Sequence, residues 1–153
     1  MTALALSSLM QLSVIGIVMN YGAAREQMLT TGRPMVILVE ADWCPACQQM
    51  KSSVMPDVAQ RGGLDRVSFS KVNTDRDSYL AQKLMHGGSI PQLIMYRRTA
   101  SGWRRSQLTG AQSVERVEQF VKQGLADAVI EPAPQPTAQH KPGGFVRQTS
   151  SGS

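Results

Sequence analysis

The chain's two cysteines stand three positions apart, in Ala41-Asp42-Trp43-Cys44-Pro45-Ala46-Cys47. Two thiols at that spacing can close a disulfide across one short turn and release it again, which is the chemistry of dithiol–disulfide exchange. Before the pair, residues 35–39 (Met-Val-Ile-Leu-Val) form an unbroken apolar run. Such a run fits a strand buried on both faces, and strands of that kind usually belong to parallel sheets. After the pair, Gln48-Gln49-Met50-Lys51 favours a helix, and Pro45 fits its first turn, where a missing N–H loses no partner. Cys44 therefore falls where a strand ends and a helix begins. Unpaired N–H groups and the positive end of the helix dipole favour the thiolate there, and in Cys-X-X-Cys motifs the thiol pKa drops from about 8.5 to as low as about 3.5. Cys44 is the candidate nucleophile. Cys47, one turn further in, is the candidate resolving thiol, placed to attack a mixed disulfide on Cys44.

Two other readings of the pair compete. A purely structural bridge across a four-residue loop would restrict the unfolded chain by only about 2 kcal/mol, against about 3 for a fifteen-residue loop. A structural zinc site needs four ligands, and His86 and His140 are the only histidines.

The elements that must hold this turn follow from the hydrophobic pattern. Tyr21, Ala24, Met28 and Leu29 recur at helical spacing before Gly32 and Pro34, so residues 21–31 read as an amphipathic helix leading into the strand. The redox helix runs to about Val54, where Pro56 forces a kink or restart, and Gly62-Gly63 end the second piece. Residues 67–72 alternate as a strand reached by a helical crossover, giving a right-handed parallel βαβ unit. Strand parity puts Lys71 on the face of Val67 and Phe69, and Glu40 on the face of Val36 and Leu38. Asp75 can cap a helix bearing Leu80, Leu84 and Met85, which ends at Gly87-Gly88. His86 reads as a cation at that helix terminus. Residues 93–96, a turn over 99–102 and residues 103–108 make an antiparallel hairpin on the sheet edge. Ser113 then caps a last helix with Val114, Val117, Phe120, Val121 and Leu125 on one side. Met28, Met50, Met55, Met85 and Met95 fall at core-like positions and read as packing. The fold class is α/β, with a mixed sheet of parallel βαβ plus antiparallel hairpin flanked by helices.

With 153 residues and 42% hydrophobic content the chain holds one domain, expected over residues 21–128. Two cysteines exclude a disulfide-rich secreted scaffold. Residues 1–24 carry no charge. Residues 1–20 have the character of a signal-like or anchor segment, although the basic start usual in export signals is missing. Gly22-Ala23-Ala24 offers a small-residue cleavage site, while a hydrophobic helix packed on the domain is the competing reading. An extracytoplasmic place, periplasm or cell envelope, is the expectation, with the cytoplasm as the alternative. Residues 129–153 are rich in Pro, Gly and Ser and read as a disordered tail. The net charge of +5 and the cluster Arg97, Arg98, Arg104 and Arg105 invite a nucleic-acid reading. Only 5% of residues are aromatic and no nucleic-acid-binding motif is present, so a solvated basic hairpin is expected instead.

Four motifs in this order, Trp43-Cys44-Pro45-Ala46-Cys47, Lys71-Val72-Asn73-Thr74-Asp75, Ile90-Pro91 and Gly110, carry a family resemblance. From about residue 21 to 126 the chain resembles the thioredoxin-fold family, most of all its envelope thiol:disulfide interchange members. The resemblance implies a three-layer thioredoxin-like fold acting on protein or peptide disulfides, with no cofactor and with electrons from a separate reductase or membrane donor. It implies a cis Ile90–Pro91 bond beside the cysteines, the Ile90 backbone docking an extended substrate and Trp43 shaping the docking surface; a trans proline opening an edge strand is the alternative. Typical thioredoxins carry a buried aspartate six residues before the first cysteine, and this chain has Leu38 there. Glu40, partnered by Lys71, is the candidate to take over part of the proton relay, with a solvated strand-end carboxylate as the alternative reading of Glu40. Histidine is absent between the cysteines, which points to a reductant or electron relay. The competing functions are a thiol oxidase or isomerase of exported proteins and a module holding copper or another soft metal on the same cysteines.

Overall fold

Residues 18–131 are those that the structure, a computed structural model, describes. They form β1 (Val18–Met19), α1 (Tyr21–Thr31), β2 (Met35–Glu40), α2 (Pro45–Gln49), a π-helical turn (Met50–Val54), α3 (Met55–Gln60), β3 (Ser68–Asn73), α4 (Ser78–Leu84), β4 (Gln92–Thr99), β5 (Gly102–Thr109) and α5 (Val114–Ala126). The sheet order is β1-β3-β2-β4-β5. β3 lies parallel to β1 and β2, while β4 runs antiparallel to both β2 and β5.

Every residue of the central strand β2 is buried, and alternation divides them between two cores. Val36 and Leu38 pack with Phe69, Leu93 and Met95 beneath Met50, Val54, Met55 and Val58 of the π-turn and α3, and beneath Val117, Phe120 and Val121 of α5. On the other face Met35, Ile37 and Val39 join Val72 and Ile94 under Ala24 of α1 and Ala81 and Leu84 of α4. The result is helix, sheet and helix in three layers, as the hydrophobic pattern requires.

Several local features refine the expectations. Pro56 neither breaks nor sharply ends the redox helix; the chain absorbs it through the π-turn, whose frame is marked by the Met55 N–H donating to the Met50 carbonyl. Asp77, not Asp75, caps α4, because the Asn73 side chain already accepts the N–H groups of Asp75 and Arg76 and carries the turn two residues further. Val18–Met19, expected within the hydrophobic segment, pair with Phe69 and Ser70 as an edge strand. Asn20 caps α1 by accepting the Ala23 N–H at 2.8 Å. Residues 1–17, the bulk of that segment, lie outside the described residues, as do 132–153 of the tail.

The basic hairpin is not solvated as expected. Arg97 makes a two-pronged contact with Asp127 at 2.5 and 2.9 Å and donates to Ser106. Arg105 donates to the Leu84 carbonyl and lies over the Tyr96 ring, and only Arg104 of the four is exposed. The guanidinium forks are used to tie the hairpin to α4 and to the chain leaving α5. That departing chain stays on the body past residue 128: the Val129 N–H donates to the Arg98 carbonyl at 2.8 Å, and the Glu131 backbone crosses beside Gly32.

Candidate active site

β2 ends at Glu40, and Ala41 to Trp43 carry the chain to Cys44, which caps α2 with φ −91° and ψ 112°. The Cys44 sulfur accepts the Cys47 N–H at 3.2 Å, and the Cys44 carbonyl accepts the Gln48 N–H at 3.0 Å, so the cysteine occupies the capping role that serine or aspartate often fills. Its sulfur thus faces the unpaired N–H end of the helix, where negative charge is favoured. Cys44 and Cys47 are joined as a disulfide with their Cα atoms 5.2 Å apart, well inside the span such a bond needs. Cys44 is 6% exposed and Cys47 0%. One sulfur therefore reaches the surface and the other waits beneath it. Trp43, beside them, is 68% exposed.

The second wall of the site is the segment before β4. The Ile90–Pro91 peptide bond is cis, and the Ile90 carbonyl oxygen lies 4.0 Å from Cys44 Sγ. Ile90 packs on the small cluster of Ala41, Cys44 and Cys47. The Pro91 carbonyl accepts the Gly110 N–H at 2.8 Å, which fastens this wall to the end of β5.

Glu40 is buried, as its parity with Val36 and Leu38 predicts, but its cation is not Lys71. Lys71 is exposed: β1 reaches only as far as Ser70, so beyond that point β3 is the sheet's rim and a long aliphatic stem can carry its ammonium out to water. The partner is Lys51, in the π-turn of the redox helix, with Nζ 2.7 Å from Glu40 Oε2. The contact is a close ion pair rather than a well-directed hydrogen bond. The other carboxylate oxygen accepts the Asn73 amide at 3.3 Å. Lys51 also lies 2.9 Å from Asp42, whose second oxygen holds Arg76 at 2.6 Å. Gln48 closes the cluster by donating to the Asp42 carbonyl at 2.7 Å. Glu40 first and Asp42 second hold the Lys51 ammonium above its ordinary pKa. Lys51 foremost, with Arg76, holds the Asp42 carboxyl below its own. The cluster ties the end of β2, the redox helix and the loop after β3 into one unit.

The sequence pattern of the thioredoxin family matches residues 18–123. The chain belongs to the thioredoxin family. Over 70 residues it is 31% identical to the thiol:disulfide interchange protein TxlA of Synechococcus elongatus, a match taking in 45% of this chain. It spans only 36% of that relative's length. Among solved structures, Trxlp from Edwardsiella tarda is 30% identical with a TM-score of 0.52, covering 69% of this chain and 98% of that one. A chloroplastic thioredoxin z superposes with a TM-score of 0.60 over 74% of this chain and 97% of its own, at 18% identity, a likeness of fold.

This thioredoxin-family oxidoreductase domain holds Cys44 and Cys47 at disulfide distance. The position where thioredoxins usually bury an aspartate holds Leu38, fully enclosed in the core with Val36 and Met50. Among the described residues no group of three or more His, Cys, Asp and Glu side chains converges as a metal site would require. Two neighbours of the site escaped sequence reasoning. Lys51 follows Cys47 by four residues, the one-turn spacing that could have marked it as a neighbour of the pair. Gln92, directly after Pro91, is 0% exposed; an amide in a strand otherwise apolar over residues 93–95 was the available signal.

Proposed function

We propose that the protein uses this oxidoreductase domain to reduce disulfides in protein substrates, as a reductant or electron relay. The observation that carries the reading is the pairing of an outer sulfur at the helix start with a buried one beneath it, beside the free edge of Ile90. In the reaction, the Cys44 thiolate attacks one sulfur of a substrate disulfide and expels the other as a thiolate, leaving a mixed disulfide. The Cys47 thiolate then attacks Cys44 Sγ, the second substrate sulfur departs, and the Cys44–Cys47 disulfide remains. Two electrons pass to the substrate, and a reductase or membrane donor must return them. No cofactor takes part.

Docking is assigned to Trp43, Ile90 and Pro91. Proline offers no N–H, the Ile90 backbone can pair with an extended substrate, and an exposed indole gives that segment an apolar surface. For the proton that Cys47 must lose, the candidate is Glu40, with Lys51 in the place expected of Lys71. Glu40→Gln that left the pH dependence of Cys47 reactivity unchanged would remove Glu40 from the relay.

The direction of electron flow rests on Pro45-Ala46, since a histidine between the cysteines would stabilise the reduced thiolate and make the pair oxidising. Equilibration with glutathione tests it. A potential at or below the cytosolic glutathione poise of about −220 to −260 mV supports the reductant, and one near about −120 mV supports the oxidase alternative. A Cys47→Ser variant should accumulate a mixed disulfide with substrate on non-reducing gels, and Cys44→Ser should not.

An extracytoplasmic place fits the uncharged run at residues 1–24, and the TxlA relative carries a thiol:disulfide interchange name. Among the described residues no helix is long and apolar enough to cross a membrane. Cleavage at Gly22-Ala23-Ala24 would delete β1, the Asn20 cap and the first turn of α1, which favours a tether over a leader cut at that site. N-terminal sequencing of the protein from membrane and soluble fractions tests this: an intact segment in the membrane fraction is expected.

A further inference from the structure

We infer that Gln92, Gln107 and Arg105 form a clamp that positions the Ile90 segment for protein substrates, an assignment that rests on the docking role proposed for Ile90. The segment from His86 to Ser89 is exposed, belongs to no helix or strand and contains Gly87 at φ +83°, with open space around Gly87 and Gly88. Left to itself such a stretch would sample many conformations, and each docking event would have to order it. Side chains from the hairpin hold it instead.

Gln92 is wholly buried and spends its amide entirely on this stretch. Its Oε1 accepts the His86 N–H at 3.2 Å, and the two N–H groups of its Nε2 are shared among the carbonyls of His86, Gly87 and Ser89 at 3.1, 3.3 and 2.9 Å. Gln107 on β5 donates to the His86 carbonyl at 3.2 Å, and Arg105 donates to both the Leu84 carbonyl and Gln107. The Gln92 backbone is itself fixed between Val39 of β2 and Thr109 of β5. A rigid sheet therefore dictates where the backbone entering Ile90 lies, and Ile90 in turn stands over Cys44. An amide at a fully buried site is costly unless bonded, and here every bond it makes reaches the same short segment. Preorganisation of this kind favours an extended protein substrate, whereas a small disulfide needs only the exposed sulfur.

The test compares the full chain with Gln92→Met, Gln107→Ala and Trp43→Ala, each reduced with dithiothreitol, freed of it, and then mixed with excess substrate in a single-turnover reaction. Two substrates are measured: insulin as protein disulfide and 5,5′-dithiobis(2-nitrobenzoate) as small disulfide. The clamp predicts that Gln92→Met lowers the insulin-to-small-disulfide ratio of second-order rate constants about tenfold, through the half-saturating concentration rather than the limiting rate, and that the His86 amide, whose N–H Gln92 accepts, exchanges about tenfold faster. Gln107→Ala, at a part-exposed position that tolerates change, should lower the ratio to a lesser degree and carries the test if Gln92→Met does not fold. A ratio within twofold of the parent in the clamp variants, while Trp43→Ala lowers it, overturns the clamp and leaves docking standing. A ratio unmoved in all three removes docking and clamp together.

Discussion

Lys51 Nζ lies 2.7 Å from Glu40 Oε2, joining the redox helix to the last residue of the strand that feeds it. Glu40 is buried and Lys51 nearly so, placing the pair between exposed ion pairs worth under about 1 kcal/mol and buried ones whose disruption costs about 3–5. Lys51→Met should therefore destabilise the protein by about 2 kcal/mol, since it strands a carboxylate in the core. The double variant Glu40→Leu, Lys51→Met should recover most of that loss. Urea unfolding of the three variants measures it.

The same cluster sets a pH window. The Asp42 carboxyl is held below its ordinary value of 3.8, chiefly by Lys51, so its contribution is present above that value and is lost as pH falls through the lowered one. Lys51 is held above 10.5, so its contribution is present below that value and is lost as pH rises through the raised one. Thermal unfolding should show that Asp42→Asn lowers stability evenly between about pH 5 and 9 and flattens the further fall below about pH 4.

How much of this was legible in the sequence depended on range. Cys44 at a strand-to-helix junction, the Gly32 stop and the Ser113 cap are each written in a few adjacent residues, and the structure has them where the pattern put them. The partner of Glu40 was not. Strand parity correctly turned Glu40 inward, but it pointed equally to Lys71, and nothing local reveals that β1 ends at Met19, opposite Ser70, and leaves Lys71 at a rim. The π-turn that Lys51 belongs to is a tertiary compromise around Pro56 that propensity does not encode. Arg97 and Arg105 looked solvated because their acceptors, Asp127 and the Leu84 carbonyl, lie 30 and 21 residues away in the chain.

Gly32 offers a separate test of how the chain leaving α5 is held. It ends α1 at φ 72°, and a Cβ there would collide with the Glu131 backbone. Gly32→Ala should cost about 2 kcal/mol in the full chain, of which roughly 1 is left-handed strain. Ending the chain at Asp127 should remove the collision and leave only the strain. Chemical denaturation of the four proteins separates the two.

Disulfide reduction by this domain requires the Cys44 sulfur to be the accessible, readily ionised member of the pair. Iodoacetamide alkylation of the dithiol form, followed by peptide mass analysis across pH 5 to 9, tests that directly. Cys44 is predicted to be modified first and, after allowing for the lower nucleophilicity of a more acidic thiol, roughly threefold or more faster than free cysteine at pH 7. Alkylation of Cys47 first, or of Cys44 no faster than free cysteine, would contradict it.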